Sequence, residues 1–323
     1  MSPSIEVGPI LAKRLNAQWS FDCSPGRELG KGSVADVYLG TNHYTQERIA
    51  IKKQRLRWSS GSKGSMLRHE YGVYQELGRG EGIPTVYDYC RERYRYRGER
   101  RYRCYLVMEQ LGPSLYKTMQ HRLGRPRLAS SGLFFSLEEV VSIGEQLISA
   151  LQLIHNRNFI HRDVQPKNIV YDRSRERVLL IDYAVAEKYR NPTTHGHLPW
   201  QAARMVGSPI FASLNSHRGH TVSQRDDMES LGYVLVYLVR GQLPWQHLSA
   251  KAKDLIAVKK STITIEGLCG GGQEAVVLYR ARWPTPAVQN LLPLPAVSML
   301  VHLLSLKGRH GEPAQLDIRP TDH

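Results

Sequence analysis

The run His161-Arg162-Asp163-Val164-Gln165-Pro166-Lys167-Asn168 sets an aspartate and an asparagine five residues apart. Fourteen residues beyond Asn168 stands another aspartate, Asp182, at the end of an apolar run from Val178 to Ile181. A carboxylate in such a loop can accept or orient the proton of a hydroxyl, while an amide and a second carboxylate can hold a magnesium ion. Upstream, Lys52 closes the run Ala50-Ile51-Lys52, and Glu70 follows at a chain distance that lets it fix the flexible lysine stem. One cation for phosphate groups, two metal ligands and one carboxylate beside a nucleophile make the set that phosphoryl transfer needs. That reaction demands charge neutralisation and in-line positioning more than covalent chemistry. Read as mere loop or cap carboxylates, Asp163 and Asp182 leave their spacing to Asn168 and to the apolar run unexplained.

The glycine cluster Gly30-Lys31-Gly32-Ser33-Val34-Ala35-Asp36-Val37 fits the same chemistry, because glycines let backbone N–H groups approach phosphates. Alone, such a run is more often a simple turn. Elements must then position these residues. Residues 21 to 57 alternate apolar and polar positions around the cluster, which predicts strands. Gly61 to Gly64 reads as a loop and Met66 to Leu77 as a helix with Leu67, Tyr71, Tyr74 and Leu77 on one face. Residues 86 to 110 read as a hairpin turning at Gly98 and Glu99. In its first arm Arg93, Arg95 and Arg97 share one face and Tyr94 and Tyr96 the other. That pattern is either a half-buried hairpin with a solvated face or a basic-aromatic platform for nucleic acid or an acidic partner.

After Gly112 the pattern turns helical. Ser136 and Glu139 form a capping box opening a helix that runs to about Asn156; a strand follows at Val178 to Asp182, and a strongly apolar helix at Val222 to Arg240. Strands first and helices later predict an α+β fold with a small β-rich lobe and a larger α-helical lobe. The expected divisions are an N-terminal extension over 1–20, the small lobe over 21–110, the large lobe over 111–268 and a divergent segment over 269–323.

The chain has 323 residues and 41% hydrophobic content, enough for a proper core. Its formal charge is +15, with 19 basic and 12 acidic residues up to position 110 and 25 and 17 beyond it. The spread argues against a single basic tail that grips nucleic acid. Cys23, Cys90, Cys104 and Cys269 show neither metal-ligand spacing nor a disulfide framework, so a reducing compartment is the expectation. The longest apolar stretch, Ala287 to Leu306, is broken by Pro293, Pro295, Gln289, Asn290 and His302, which disfavours a membrane span.

Several segments resemble the casein kinase 1 family of protein kinases. They are Met108-Glu-Gln-Leu-Gly-Pro-Ser-Leu115, Asn158-Phe-Ile-His-Arg-Asp-Val164, Phe211-Ala-Ser-Leu-Asn215, Arg225-Asp-Asp-Met-Glu-Ser-Leu-Gly-Tyr233 and Leu243-Pro-Trp-Gln246. The resemblance covers about Leu29 to Leu268. It implies a two-lobed protein-kinase fold and a serine/threonine kinase using ATP and Mg2+. It further implies protein substrates, often acidic or already phosphorylated, and a monomer of the cytoplasm or nucleus. By the same resemblance Gly30, Gly32, Val37, Ala50 and Lys52 line the nucleotide site. Backbone groups of Glu109 and Leu111 meet the adenine edge, Met108 lies behind it and Val170 beneath it. Lys52 and Glu70 pair, Asp163 is the catalytic carboxylate, Asn168 and Asp182 hold the metal, and Asp227 braces the catalytic loop.

Five departures from the family pattern stand out. Ala35 replaces a third glycine and should stiffen the loop. Gln165 replaces a lysine that contacts the γ-phosphate, and Lys167 is the nearest substitute. Asp182-Tyr183-Ala184 stands for Asp-Phe-Gly, and the lost glycine should restrict the backbone there. Ile210, Glu187 and Ser249 occupy places where relatives have basic residues that bind phosphate, although Arg204 and Lys188 remain. The resemblance fades after Leu268. Two readings follow: an ATP-dependent kinase, or a catalytically impaired pseudokinase that serves as a binding or scaffold protein.

Overall fold

The computed structural model describes residues 12–22, 28–32, 35–57, 65–123, 135–194, 196–198, 205–249, 251–264 and 267–268. The segments around Gly61, Arg204 and Ala287, with everything after Leu268, lie outside them.

The N-terminal half is a seven-stranded antiparallel sheet with one helix. Its strands are β1 (Ala12–Arg14), β2 (Trp19–Asp22), β3 (Glu28–Lys31), β4 (Asp36–Asn42) and β5 (Arg48–Arg57), then helix α1 (Met66–Leu77), β6 (Val86–Tyr96) and β7 (Glu99–Glu109). The order is β1-β2-β4-β5-β7-β6, and β3 also pairs with β4. The sheet thus begins ahead of residue 21: β1 and β2 form a hairpin whose turn is held by Asn16 Oδ1, which accepts from the backbone N–H groups of Gln18 (2.8 Å) and Trp19 (2.9 Å). Asx turns of this kind stand in for a backbone turn and leave little periodic signal.

The α1 helix has the predicted bounds. Ser65 caps it, accepting from the Arg68 N–H at 3.2 Å. Its buried face is Leu67, Glu70, Val73, Tyr74 and Leu77, so a carboxylate stands within an apolar stripe. The β6–β7 hairpin turns at Arg97 and Gly98, with φ 50° and 80°, and Glu99 already pairs with Tyr96 in the ladder. A two-residue turn needs positive φ at both positions, which moves the turn one residue ahead of the Gly98-Glu99 expectation.

The C-terminal half is helical: α2 (Leu115–Leu123), α3 (Leu137–Asn156), α4 (Leu214–His217), α5 (Gln224–Arg240) and α6 (Lys253–Thr262). Short strands β8 (Phe159–Ile160), β9 (Ile169–Tyr171), β10 (Val178–Leu180) and β11 (Glu187–Lys188) pair as β9–β10 and β8–β11. The capping box is present: Ser136 N–H donates to Glu139 at 2.7 Å and the Glu139 N–H donates to Ser136 Oγ at 3.2 Å. Along α5, Leu231, Val234, Leu235 and Leu238 are fully buried, each worth about 1.5–3 kcal/mol of apolar transfer. The main core runs from α1 and the inner face of β7 through α3 to α5, and a smaller cluster around Trp19, Phe21, Tyr38 and Tyr105 covers the outer face of the sheet.

Candidate active site

The antiparallel register carries the nucleotide-site expectations onto one sheet face. Gly30 stands opposite Val37, Val37 opposite Lys52, and Lys52 opposite Leu106. Ala50 pairs with Met108 two residues along, on the same face by the strand repeat. Within the glycine strand, a Cβ at Gly32 would fall 2.9 Å from the Ala35 carbonyl oxygen, which accepts the Gly32 N–H at 3.0 Å. Gly32 is therefore demanded by the turn itself. A Cβ at Gly30 would meet nothing within 4 Å, so that glycine leaves open space over the cleft.

The connection between the halves is tightly laced. Glu109 donates its N–H to the Thr85 carbonyl (3.0 Å) and accepts the Thr85 N–H on its side chain (2.5 Å). Only its carbonyl is left for an adenine edge. Gly112 N–H donates to Tyr171 O at 2.8 Å, and Tyr171 N–H to Pro113 O at 3.0 Å, which ties the hinge to β9 and to buried Val170.

Lys52 lies at the centre. Its Nζ is 2.8 and 2.9 Å from the two Glu70 oxygens and 2.9 Å from Asp182 Oδ1. Burial works against the lysine charge, but Glu70 and Asp182 outweigh it and hold its pKa above the usual lysine value. Burial raises Glu70 to about 7, opposed by the Lys52 charge and by the Tyr183 N–H. Burial also tends to raise Asp182; the Lys52 charge prevails and leaves it below the ordinary carboxylate range. Two further bonds hold α1 against the segment after Asp182: His69 Nε2 to Ala186 O (2.8 Å) and Lys188 Nζ to Glu76 (2.5 Å).

Asp163 is held by neutral donors. Gln165 Nε2 donates to both carboxylate oxygens (2.9 and 2.8 Å), Asn168 Nδ2 to Oδ2 (2.8 Å) and the Ser208 N–H to Oδ1 (2.9 Å). Beneath, buried Asp227 accepts from the N–H groups of His161 and Arg162 (both 2.8 Å) and from His155 (2.9 Å). Those donors overcome burial and depress its pKa. Asp227 therefore does brace the loop, including Arg162 with its φ of 69°.

The departures can now be placed. Lys167 does not stand in for the missing lysine: its Nζ lies 5.0 Å above the Tyr116 ring, on an exposed side chain. Ala184 brings no backbone conflict, since the left-handed residue of this motif is Asp182, at φ 71°. Glu187 ion-pairs with Arg162, so the charge reversal there is met inside the chain. Ile210 is half-buried, its carbonyl accepting the Trp245 indole N–H at 2.8 Å.

Four contributors were missed. Gly207 has φ 74°, and a Cβ there would come within 2.7 Å of both Arg162 O and Asp163 Oδ1. It lets the 205–211 segment reach Asp163 through Ser208. The Phe211-Ala-Ser-Leu-Asn215 segment is anchored by ionisable groups, Asp226 and Lys260 buried and Glu229 partly so. Ser213 Oγ donates to Asp226 (2.7 Å), Leu214 N–H to Glu229 (2.8 Å), and Lys260 Nζ to Pro209 O (3.1 Å) and Ala212 O. Lys260 shares a buried helix face with Ile256, one turn away, and that apolar periodicity was its only sequence signal.

A profile described as the protein kinase domain matches residues 23–286. A probable casein kinase I homolog of Encephalitozoon cuniculi (strain GB-M1) is 36% identical over 253 residues, covering 76% of this chain and 76% of the relative. The chain belongs to the protein kinase family, in its casein kinase 1 branch. The two-lobed arrangement follows, with the sheet as the small lobe and the helices as the large one. Members of this family generally use ATP and Mg2+. The donor set fits them: Asp182 bonds Lys52, the Asn168 backbone carbonyl accepts the N–H of Ile181 next to Asp182 at 2.8 Å, and the Asn168 amide nitrogen, spent on Asp163 O (2.9 Å) and Oδ2, leaves its side-chain oxygen for a cation. Among the described residues no helix is long and apolar enough to cross a membrane.

Proposed function

We propose that the chain is an Mg-ATP-dependent kinase that phosphorylates serine or threonine hydroxyls of proteins. The observation that carries this is Lys52, bonded at once to Glu70 on α1 and to Asp182 beside the catalytic loop. That arrangement fixes an ammonium where phosphates would lie and keeps both lobes in register. Magnesium, held by Asn168 and Asp182, would supply neutralisation of the phosphate charge. Glu109 O and the Leu111 backbone orient the adenine edge, Met108 and Val170 bound it, and Gly30 and Gly32 admit the phosphates. Asp163, its carboxylate fixed on both oxygens, receives the proton of the substrate hydroxyl.

Gln165 favours a second reading, a catalytically impaired kinase used as a scaffold. A neutral amide bonded to both Asp163 oxygens brings no positive charge to the γ-phosphate. The oxyanion-donor analogy puts that loss at about 2–4 kcal/mol, or ~30- to 1000-fold in rate. Phosphate incorporation into an acidic test protein should be measured for wild type, Asp163→Asn and Gln165→Lys. The kinase reading expects a signal abolished by Asp163→Asn and raised at least ~30-fold by Gln165→Lys. Equal incorporation by wild type and Asp163→Asn, with clear thermal stabilisation by Mg-ATP, would establish the scaffold reading instead.

A further inference from the structure

Among the described residues, strand β3 pairs with β4 alone. The ladder sets Glu28 opposite Tyr38 and Gly30 opposite Val37, so Leu29 is the extra residue of a bulge. A bulged residue drops out of the ladder, and its backbone groups need other partners. The Leu29 carbonyl finds one 88 residues away, accepting from Lys117 Nζ at 2.7 Å. Leu29 adjoins Gly30 at the roof of the cleft, and Lys117 stands in the first turn of α2 at its floor. On the α1 side the Lys52 cluster joins the two lobes; Lys117 joins them across the mouth.

The two ends of this bond are held differently. The root of Lys117 is fixed to the large lobe. Tyr116 donates its N–H to Pro166 O in the catalytic loop (2.9 Å), Lys117 donates its own N–H to Ser114 Oγ (3.2 Å), and Leu115 and Met119 are fully buried. The β3 end is looser: four residues, alternately half-buried and exposed, with open space where a Gly30 side chain would be. Among the described residues Lys117 has no ion pair to draw it elsewhere, and Lys167 is held over the neighbouring Tyr116 ring.

We propose that Lys117 is a strap across the mouth of the nucleotide cleft, closed on Leu29 before and after a nucleotide enters and open only while one passes. The strap rests on the nucleotide-site reading above. A nucleotide admitted by Gly30 and Gly32 passes between β3 and α2, so this bond has to break first. A bond present at both ends of the passage and absent in between slows entry and release alike, and leaves affinity nearly untouched. A lysine that only attracted phosphates would behave otherwise. Its removal would slow entry, speed release and weaken binding. The two roles therefore predict opposite signs for the change in association rate.

The test uses the full chain and unlabelled Mg-ADP, because a label on the ribose would crowd the mouth. Phosphorus NMR line shapes give the dissociation rate, calorimetry gives Kd, and their ratio gives the association rate. Hydrogen exchange of the β3 amides is read on the same proteins without nucleotide. Lys117→Met should raise association and dissociation together, each at least ~3-fold, hold Kd within ~2-fold of wild type, and speed exchange in β3. Lys117→Arg still reaches the carbonyl and should keep both rates within ~2-fold. Lys167→Met removes an equal charge near the same mouth and should not speed association. A wild type that binds no Mg-ADP would overturn the nucleotide reading and the strap with it. Where wild type binds, slower association in Lys117→Met, unchanged rates, or unchanged exchange in β3 would each overturn the strap alone.

Discussion

Lys52 and Lys260 are both buried, yet the chain treats their charges in opposite ways. Lys52 sits among carboxylates, Glu70 and Asp182, which more than offset its desolvation. Lys260 meets the carbonyls of Pro209 and Ala212, the rings of Tyr233 (4.6 Å) and Trp245 (5.1 Å), and the His217 ring at 3.4 Å. Burial pushes its pKa down to about 7, with Glu229 opposing only in part. Carbonyls and rings can accept N–H groups from a neutral amine as well as from an ammonium; a carboxylate pair needs the charge. The first lysine is thus a fixed cation suited to phosphates. The second is a pin for the segment that leads into Asp163.

The largest effect expected from this contrast belongs to Lys52→Met. It strands Glu70 in the core, and breaking a buried pair costs about 3–5 kcal/mol. Because Lys52 opens onto the cleft, the lower end of that range is expected in urea unfolding. The cost should be smaller at pH 6 than at pH 8, since the abandoned Glu70 can take up a proton. Adding Glu70→Gln should recover most of it. A loss under ~1 kcal/mol for Lys52→Met would break the comparison by showing that the carboxylates do not depend on the lysine.

Much of the Lys52 side of this contrast was legible in the sequence, and little of the Lys260 side was. Lys52, Glu70, Asp163, Asn168 and Asp182 are brought together as their spacing implied, and the bounds of α1 and the Ser136–Glu139 box followed from local rules. Local signals suffice where the responsible contact is only a few residues away. Lys260 bonds to carbonyls 51 and 48 residues distant, so nothing beside it in the chain announces its task. The same holds for the Gly207 approach to Asp163, and for Lys167, whose direction depends on the position of Tyr116. The strands at 12–14 and 19–22 were hidden by brevity and by a turn made from a side chain.

The next effect in size is a pH slope. The ordinary lysine value near 10.5 applies to the unfolded chain, and the folded value is about 7. Between these values the unfolded state binds the extra proton, so stability rises with pH there. The contribution is complete above the unfolded value and is lost as pH falls toward the folded one. The stability of wild type minus that of Lys260→Met should therefore climb from pH 7 to pH 10, with a slope of at most ~1.4 kcal/mol per pH unit. Subtracting the variant removes the titration of tyrosines and cysteines common to both. A flat difference would show that Lys260 keeps its charge, and the two lysines would then be alike.

Tyr183 extends the comparison to a buried hydroxyl with no partner among the described residues. Its ring is fully buried and lies edge-on to Tyr74 and His161, each at 4.8 Å between centroids. Its hydroxyl has no hydrogen-bond partner among the described residues, and burial raises its pKa well above the tyrosine norm, which keeps it neutral. A buried hydroxyl left without a partner costs about 1–3 kcal/mol, whereas the aromatic contacts do not require it. Tyr183→Phe should therefore stabilise the chain by about 1 kcal/mol, raising Tm by about 2–4 °C in a domain of this size. The Tyr183 N–H to Glu70 is a backbone contact and survives the change. If the phenylalanine variant instead melts lower, the hydroxyl is bonded to an ordered water. Tyr183 would then join Lys260 as a buried donor satisfied by neutral oxygen.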